Sequence, residues 1–345
     1  MKNNWTVILL IILLGYKLGA QDIHFSQFNE NPTLINPALT GVSNSIRASI
    51  TNRNQWASVS KPYKTFGASF EKQFNSAAWQ EHKSKSMMSA GLSLYKDRAG
   101  DGNLGQTHVN LSLSNFIVLN KTNIISVGLQ GSLVQRMIEQ DNLLFPNQYN
   151  GSVYDSQQSS NEKFENFKFT YFDLGAGSQW TYSREQKNLE AHKQFTSHFG
   201  FAVYHLAEPR HEFLGTLSKL HVKYVTHGDL IASLGKSNMA LSPSFLLQFQ
   251  GPSREIVIGA MLRHYIKIDS KYTGLILRDC FGYGFYLRNK DAILLSALFE
   301  RKEKLGIVIS YDVNISRLSA ASAYRGGFEL TLRYTAPRFN FYQRQ

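Results

Sequence analysis

Histidines and carboxylates are the residues of this sequence best suited to bind a metal or transfer a proton. No two of the histidines flank a glutamate at the i, i+4 spacing that a zinc-protease helix requires. Residues 97–103 include oxygen ligands suited to calcium, but they lack the alternating spacing and the closing glutamate of a calcium loop, so they predict a hairpin turn. We therefore predict no metal site. The histidines of the second half are His192, His198, His205, His211, His221, His227 and His264.

Motifs for nucleophilic catalysis and phosphate binding are also missing from the sequence. There is no G-x-S-x-G elbow and no phosphate-binding glycine loop. Gly175-Ala176-Gly177 lies within a strand pattern, where glycine predicts a bulge or a bend. The single cysteine, Cys280, excludes an internal disulfide and is predicted to have a packing role. These features predict a protein that is not an enzyme and that uses no cofactor.

The charge balance is basic, with 37 Lys and Arg residues against 25 Asp and Glu residues and a formal net charge of +12. Such a charge suits anionic lipid headgroups or acidic partners, and it would also attract nucleic acid. The basic residues are scattered over turns instead of being clustered on one face, and the leader of residues 1–20 predicts export, away from nucleic acid. We therefore predict no nucleic-acid partner.

Residues 1–20 have the pattern of a secretory signal peptide. Lys2 supplies positive charge, residues 7–14 form an apolar core, and Leu18-Gly19-Ala20 provides a cleavage site before Gln21. Beyond this leader no run approaches the about 18 apolar residues that a membrane-spanning helix needs. The sequence therefore predicts export, and a β-barrel is the remaining way for the mature chain to cross a membrane.

Residues 21–44, called the plug segment below, differ from the strand-rich sequence that follows. The Asn31-Pro32 and Asn36-Pro37 steps disfavour helical conformation and remove backbone donors, so the segment is predicted to be neither a helix nor a central strand. Its apolar side chains need a surface to pack against, which a barrel lumen would provide. We predict that lumen filling and partner docking depend on Phe25, Phe28, Asn36, Pro37, Leu39 and Gly41.

After Gly41 the dominant pattern is the alternation of apolar and polar residues that places successive side chains on opposite faces of a sheet. Runs such as 104–118 and 121–136 are much longer than the typical ~5 to 6 residues of a globular strand. They favour tilted membrane strands of about 9 to 11 residues over a soluble sandwich. The apolar faces predicted to contact lipid include Val109, Leu111 and Leu113, and also Phe328, Leu330 and Leu332.

About fourteen strands are predicted between residues 45 and 334, followed by a C-terminal tail of residues 335–345. The predicted fold is all-β: an antiparallel transmembrane β-barrel of about 14 strands with an N-terminal plug-like segment. An even strand number places both chain ends in the periplasm, so the longest connection, 139–165, is predicted to face outward. Aromatic residues near predicted strand ends, including Trp56, Tyr95 and Trp180, are typical of interfacial girdles.

Closure of such a barrel has an electrostatic consequence. The first strand must pair with the last, which places the polar face that includes Arg47 and Arg53 beside the face that includes Glu329 and Arg333. An unpaired carboxylate in a narrow lumen would be poorly solvated. We therefore predict a lumenal charge pair between Glu329 and either Arg47 or Arg53.

Short motifs at both ends of the chain are shared with a known family. They are DIHFSQF at 22–28, NPALTG at 36–41, RNQW at 53–56, GIVISYDVNIS at 306–316 and GGFELTLRY at 326–334. Together they make the chain resemble the PorP/SprF family of outer-membrane proteins of the type IX secretion system in Bacteroidetes. The chain departs from the family pattern between Ile307 and Ser310, where a second glycine is usual, and in the tail after the last strand.

The resemblance implies an outer-membrane component of the secretion and gliding machinery. Its expected partners are other type IX secretion components in the periplasm or a large secreted adhesin, together with outer-membrane lipid, and no small-molecule substrate is expected. Two alternatives remain open. One is a FadL-like outer-membrane channel for hydrophobic solutes, which would need a continuous apolar tunnel. The other is a soluble or surface β-sandwich adhesin.

Overall fold

The computed structural model describes residues 22–42, 45–56, 61–74, 86–100, 102–139, 143, 145–155, 157–159, 161, 168–187, 192–211, 218–235, 237–268, 277–317 and 319–336. The predicted signal peptide, its cleavage site and most of the predicted tail lie outside these residues. The strands are β1 Ile46–Gln55, β2 Tyr63–Gln73, β3 Ser86–Ala99, β4 Leu104–Val118, β5 Asn123–Met137, β6 Lys168–Lys187, β7 His192–Tyr204, β8 Arg210–His211, β9 Ser218–Lys219, β10 Lys223–Ser233, β11 Met239–Gln250, β12 Ser253–Ile268, β13 Leu277–Arg288, β14 Ala292–Arg301, β15 Leu305–Asn314 and β16 Arg325–Ala336.

Fourteen of these described strands form one closed antiparallel barrel, which confirms the predicted fold. Each barrel strand pairs with its neighbours in sequence, while β8 and β9 form a separate two-stranded ribbon between β7 and β10. β1 closes the barrel by pairing with β16, from Ile46 opposite Ala336 to Gln55 opposite Gly327. The last strand therefore extends two residues into the predicted tail. Closure leaves no free sheet edge in this part of the chain.

The alternation of side chains gives the barrel an apolar outer face and a polar inner face. On β4, Leu111 is 54% exposed, whereas the neighbouring Ser112 is completely buried inside the barrel. Val109 and Leu113 point outward with Leu111. Exposed aliphatic and aromatic side chains on long strands are what a lipid-facing surface requires. The chain is thus an outer-membrane barrel.

The two ends of the barrel differ in the length of their connections. The longest connections, 138–167 and 205–222, lie at the end opposite the chain termini. We call this the outer end, because bacterial barrels have long extracellular loops and short periplasmic turns. The end at which β1 begins and β16 finishes is called the inner end. At the inner end, β6 and β7 are separated by only four residues, because both strands extend further than the sequence suggested.

The plug segment contains short helical turns, contrary to the prediction that it would not be helical. A single α-helical turn, Pro32–Ile35, follows a 3-10 turn, Phe28–Glu30, and precedes another, Pro37–Leu39. Each proline that follows an asparagine occupies the first position of a turn, where its missing N–H group costs nothing. A third 3-10 turn, Pro146–Gln148, lies in an outer-end connection. None of the described helices is long and apolar enough to span a membrane.

Two predictions about individual residues are wrong. Gly175 and Gly177 mark no bulge, since the pairing of β6 with β5 and with β7 is continuous through both positions. Tyr95 belongs to no interfacial girdle, because its side chain is fully buried inside the barrel. The space next to Gly175, Gly177 and Tyr95 is filled by the plug segment or by a lumenal side chain near it.

Candidate functional site

The plug segment runs through the lumen from the outer end to the inner end. Asp22 approaches Lys223, the first residue of β10, and Glu30 approaches Arg47 at the start of β1. Between these ends, the segment forms hydrogen bonds with side chains on β3, β10, β11 and β15. Because its contacts lie on strands all around the barrel, residues 22–42 are inside it. Most of their side chains are buried.

Three glycines on adjacent strands make room for the middle of the segment. Gly128 on β5, Gly177 on β6 and Gly200 on β7 face the lumen where Asn36 and Pro37 pass. A Cβ atom on Gly128 would overlap the backbone of Pro37, and one on Gly177 would overlap the Asn36 side chain. We call these residues the glycine patch. A backbone can approach a sheet this closely only where the sheet has no side chains.

Asn36 fixes this close approach through hydrogen bonds. Its Oδ1 atom accepts a hydrogen bond of 2.9 Å from the Ala38 backbone, which caps the following 3-10 turn. Its Nδ2 group donates to the Ser178 carbonyl oxygen at 2.9 Å and lies 3.0 Å from His227 Nε2. Asn36 is completely buried, and its amide group thereby links the segment to β6 and β10. Pro37, the residue next to it, begins the turn.

Gly41 lies where the segment leaves the lumen. Its φ of 68° lies in the left-handed region that glycine adopts without strain. The Gly41 N–H group donates to Glu71 Oε2 at 2.8 Å, and its carbonyl oxygen accepts from Gln73 Nε2 at 2.5 Å. A side chain at this position would also overlap Ser89. The exit towards β1 therefore depends on a residue without a Cβ atom.

The aromatic side chains of the segment pack on opposite parts of the lumen wall. Phe25 lies 6.0 Å from Tyr95 between ring centroids, and Phe28 lies 6.4 Å from Tyr286 in an edge-to-face arrangement. Both phenylalanines are buried. Leu39 is half-buried and packs against the apolar cluster that includes Phe28. The structure thus places all six predicted plug residues in or at the lumen.

Glu30 joins the segment to two arginines of the wall. Arg333 Nη1 donates to both carboxylate oxygens, at 2.8 and 2.7 Å, and Arg47 Nη2 donates to the Glu30 carbonyl oxygen at 2.7 Å. Arg333 also pairs with Glu300 on the wall. Burial by itself would raise the pKa of Glu30, but Arg333 and Arg47 outweigh it and hold that pKa below its usual value. Glu30 is therefore ionised at neutral pH.

The predicted lumenal charges take more partners than a single pair. Arg53 Nε lies 4.0 Å from Glu329 Oε2, and Arg53 Nη2 donates to Asp312 at 2.9 Å. Glu329 accepts hydrogen bonds from the backbone N–H groups of Ser26 and Gln27, at 2.7 and 3.0 Å. Arg47 instead lies near Glu30 and Glu71, and no ion pair joins it to Glu329 among the described residues. These charges hold the plug segment as well as one another.

A second charged group holds the start of the segment. His205 Nε2 lies 2.8 Å from Asp22, and His205 Nδ1 lies 2.7 Å from Asp173 on β6. Lys223 lies 3.5 Å from the same oxygen of Asp22. We call these four residues the His205 cluster. Burial opposes the charge on His205, but Asp22 and Asp173 outweigh it and raise the pKa of His205 to about 9.

The ionised state of Asp22 completes this arrangement. Burial would raise its pKa, yet His205 and Lys223 hold it well below the usual value. The cluster therefore pairs an imidazolium with the Asp22 carboxylate at neutral pH. Among the described residues no group of three or more histidine, cysteine and carboxylate side chains is arranged to hold a metal ion.

A cavity of about 750 Å³ opens at the outer end, beside the start of the segment. Asp22 and His24 of the segment form part of its wall. Burial, together with Arg53 and Arg288, holds the pKa of His24 well below its usual value, so this histidine is neutral. The remaining wall comes from strand ends and turns: Gln55, Trp56, Tyr63, Lys223, Gln248, Gln250, Ser253, Arg254, Glu255, Arg288, Asn289, Lys290, Asp291, Ile315, Ser316 and Arg317.

Several residues of this site were not predicted from the sequence. The sequence places Arg333 on the same inward face as Glu329 but does not predict its contact with Glu30. Asp312 occurs in a family motif, and its inward position on β15, two residues after Ser310, was a usable signal. Asp22 and Glu30 lie within the predicted plug segment, but no local pattern distinguishes a carboxylate that meets a partner on a distant strand. The glycine patch gave no usable signal, because its three members are spread over more than seventy residues.

Comparison with known proteins gives a family match and several similar folds. A family model described as "Type IX secretion system membrane protein PorP/SprF" matches residues 17–334. No curated protein matches the chain. The P. putida toluene transporter TodX is 10% identical, with 90% of this chain and 94% of that chain covered and a TM-score of 0.42. BamA from Haemophilus ducreyi lacking POTRA domains 1-3 is 9% identical, with 85% and 70% covered and a TM-score of 0.40.

Proposed function

The chain belongs to the PorP/SprF family of type IX secretion system membrane proteins, and we propose that its barrel docks a protein partner of that system through the plug segment. The observation that supports this proposal most directly is the fixed position of the segment. Glu30, Asn36 and Asp22 each contact a different part of the lumen wall. A segment held at several points offers a preorganised surface, and preorganisation lowers the cost of binding.

The two ends of the segment suggest which kind of partner binds. At the inner end, Thr40, Gly41 and Val42 are buried against the wall. At the outer end, Asp22 and His24 contribute to an open cavity. A partner that approaches from outside the cell can therefore contact more of the segment than a partner that approaches from the periplasm. Of the expected partners, we propose an exported surface protein such as a large adhesin, which the barrel helps to export or anchor.

The alternative of a channel for hydrophobic solutes has less support. Such a channel needs an apolar passage, as binding sites for apolar ligands are lined mainly by apolar side chains. The cavity at the outer end is lined largely by charged and amide side chains. Within the described residues the plug segment occupies the lumen below this cavity. We therefore treat solute uptake as an outcome that the experiment must distinguish.

The test uses Gly128→Val in the cells that make this protein. Valine suits a strand, so the barrel should still assemble. Its side chain would overlap the Pro37 backbone and displace the middle of the plug segment. The expected result is loss of surface display of the exported partner, measured by surface labelling, with normal amounts of barrel in the outer membrane.

Gly131→Val is the matched control. Gly131 lies on the same strand but its added Cβ would meet only the Phe172 ring, at 3.5 Å, on the outer side. This variant should display the partner normally. If Gly128→Val instead raised uptake of a fluorescent fatty acid and left secretion intact, the channel would be the correct function. Deletion of residues 23–31 is a less specific test, because it would leave Arg47 and Arg333 without Glu30.

A further inference from the structure

The cavity at the outer end has an excess of basic side chains. Five of the residues that line it are lysines or arginines and three are carboxylates. Arg254, Lys290 and Arg317 are exposed at its rim, whereas Lys223 and Arg288 are buried at its wall. Low-dielectric walls lined by one sign of charge concentrate ligands of the opposite sign. The cavity therefore favours an anionic group.

Arg288 is the residue best placed to receive that group. It is only 3% exposed, and its guanidinium orientation is fixed by two carboxylates. Nε donates to Asp291 at 2.5 Å, and Nη2 donates to Asp312 at 2.9 Å. Nη1 has no hydrogen-bond partner among the described residues. Leaving a buried donor of a charged group unpaired is costly, so an acceptor is expected at Nη1.

Trp56 provides a second, independent observation. Its φ of 56° lies in the left-handed region, which is strained for a residue with a bulky side chain. Its ring packs on Tyr63 with centroids 5.0 Å apart, and both residues line the cavity. Strain of this kind is retained at ligand-binding positions more often than elsewhere. The pair presents an aromatic surface beside the basic side chains.

From these features we propose that the cavity binds an acidic peptide segment of the exported partner, with an Asp or Glu carboxylate on Arg288 and a neighbouring apolar side chain on Trp56. The proposal rests on the function proposed above. The amide side chains of Gln55, Gln248 and Asn289 supply donors and acceptors for a peptide backbone. The volume of about 750 Å³ lies within the range of pockets that enclose a ligand. A lipid headgroup is disfavoured, since the cavity opens inside the barrel wall.

The test measures binding of blocked tetrapeptides to the purified full-length barrel in detergent micelles by calorimetry. The probe is acetyl-Gly-Phe-Asp-Gly-amide, and the matched probe has Asn in place of Asp. We expect the Asp peptide to bind at least about tenfold more tightly, because only the carboxylate makes charge-assisted hydrogen bonds with Arg288. Equal binding of the two peptides would overturn the proposal.

Variants locate the site without disturbing the buried network. The double variant Arg254→Glu, Lys290→Glu reverses two exposed rim charges and should weaken binding of the Asp peptide by at least about tenfold. Lys304→Glu reverses an exposed charge at the inner end and should leave binding unchanged. Trp56→Ala should weaken binding of acetyl-Gly-Phe-Asp-Gly-amide but should not change binding of acetyl-Gly-Gly-Asp-Gly-amide. Equal effects of the rim and inner-end variants would contradict the proposed site.

Competition distinguishes a peptide site from a general anion site. Inorganic phosphate at the same ionic strength should displace the Asp peptide only weakly. Complete displacement by phosphate at comparable concentration would show a simple anion site and overturn the peptide assignment. If no peptide binds while Gly128→Val still abolishes surface display, this inference fails and the proposed docking function stands. If the Asp peptide binds but Gly128→Val leaves display normal, the docking function fails instead.

Discussion

The two halves of the plug segment are held in the lumen by different forces. Residues 22–30 depend on charged contacts, from Asp22 in the His205 cluster to Glu30 beside Arg333. Residues 31–42 depend on close backbone packing against the glycine patch and on hydrogen bonds from Asn36. Charged contacts change with protonation, whereas close packing does not. A change of pH is therefore expected to release residues 22–30 from the lumen wall. Residues 31–42 set the position of the segment in the lumen.

The largest expected effect comes from removing the charge at the junction of the two halves. Glu30→Ala would leave Arg47 and Arg333 buried without their partner, and breaking a buried ion pair from one side costs about 3–5 kcal/mol. We expect a corresponding fall in the free energy of unfolding, measured by urea titration of the barrel in detergent. Asn29→Ala is the control, because Asn29 is exposed and its side chain makes one hydrogen bond within the described part of the chain, to Ser244. Similar losses in both variants would show that charge does not hold this half.

The glycine patch should give the next largest effect. Gly128→Val places a side chain against the Pro37 backbone, and overpacking of this kind costs about 1–3 kcal/mol. The segment should become sensitive to a protease added to the purified barrel, whereas Gly131→Val should leave it protected. The loss of stability in Glu30→Ala should depend on salt and pH, whereas the effect of Gly128→Val on protease sensitivity should not. A pH-dependent effect of Gly128→Val would remove the distinction between the two halves.

The smallest expected effect concerns only the start of the segment and depends on pH. The pKa of His205 is about 9 in the folded protein and near 6.5 when free, so its contribution is complete below about 6.5 and is lost as pH rises through 9. Asp22 acts in the opposite sense: its pKa is depressed, so its contribution is present above its usual value of 3.8 and is lost on acidification. The protection of residues 22–26 against hydrogen exchange, relative to the intrinsic rate at each pH, should be greatest between these limits.

A His205→Gln variant sharpens this prediction. Glutamine retains hydrogen bonding but has no charge to lose, so the loss of protection, measured relative to the intrinsic exchange rate at each pH, should disappear between pH 7 and pH 10. Exchange in residues 36–40, on the glycine patch, should be the same in both proteins. If the alkaline change persisted in His205→Gln, another group would hold the start of the segment. If residues 36–40 responded equally, the two halves would form one cooperative unit.

The strands and their faces were predictable because they depend on local alternation. The positions of Leu111 and Ser112 on opposite faces follow from period two alone. The pairing of β1 with β16 follows from closure of an even-numbered barrel. The prediction that the plug segment is not helical is wrong because proline, which disrupts a helix interior, is favoured at the first helical position.

By itself, the sequence determined the barrel, its two faces, and a proline-containing segment that is not part of the sheet. Only the tertiary structure decided which groups meet in the lumen. Glu30 and Arg333 are separated by 303 positions, and Asn36 and His227 by 191. No local pattern fixes such pairs, because they depend on barrel closure and on the path of the segment within it. The same holds for Gly128, Gly177 and Gly200, whose role exists only where the backbone of Asn36 and Pro37 passes.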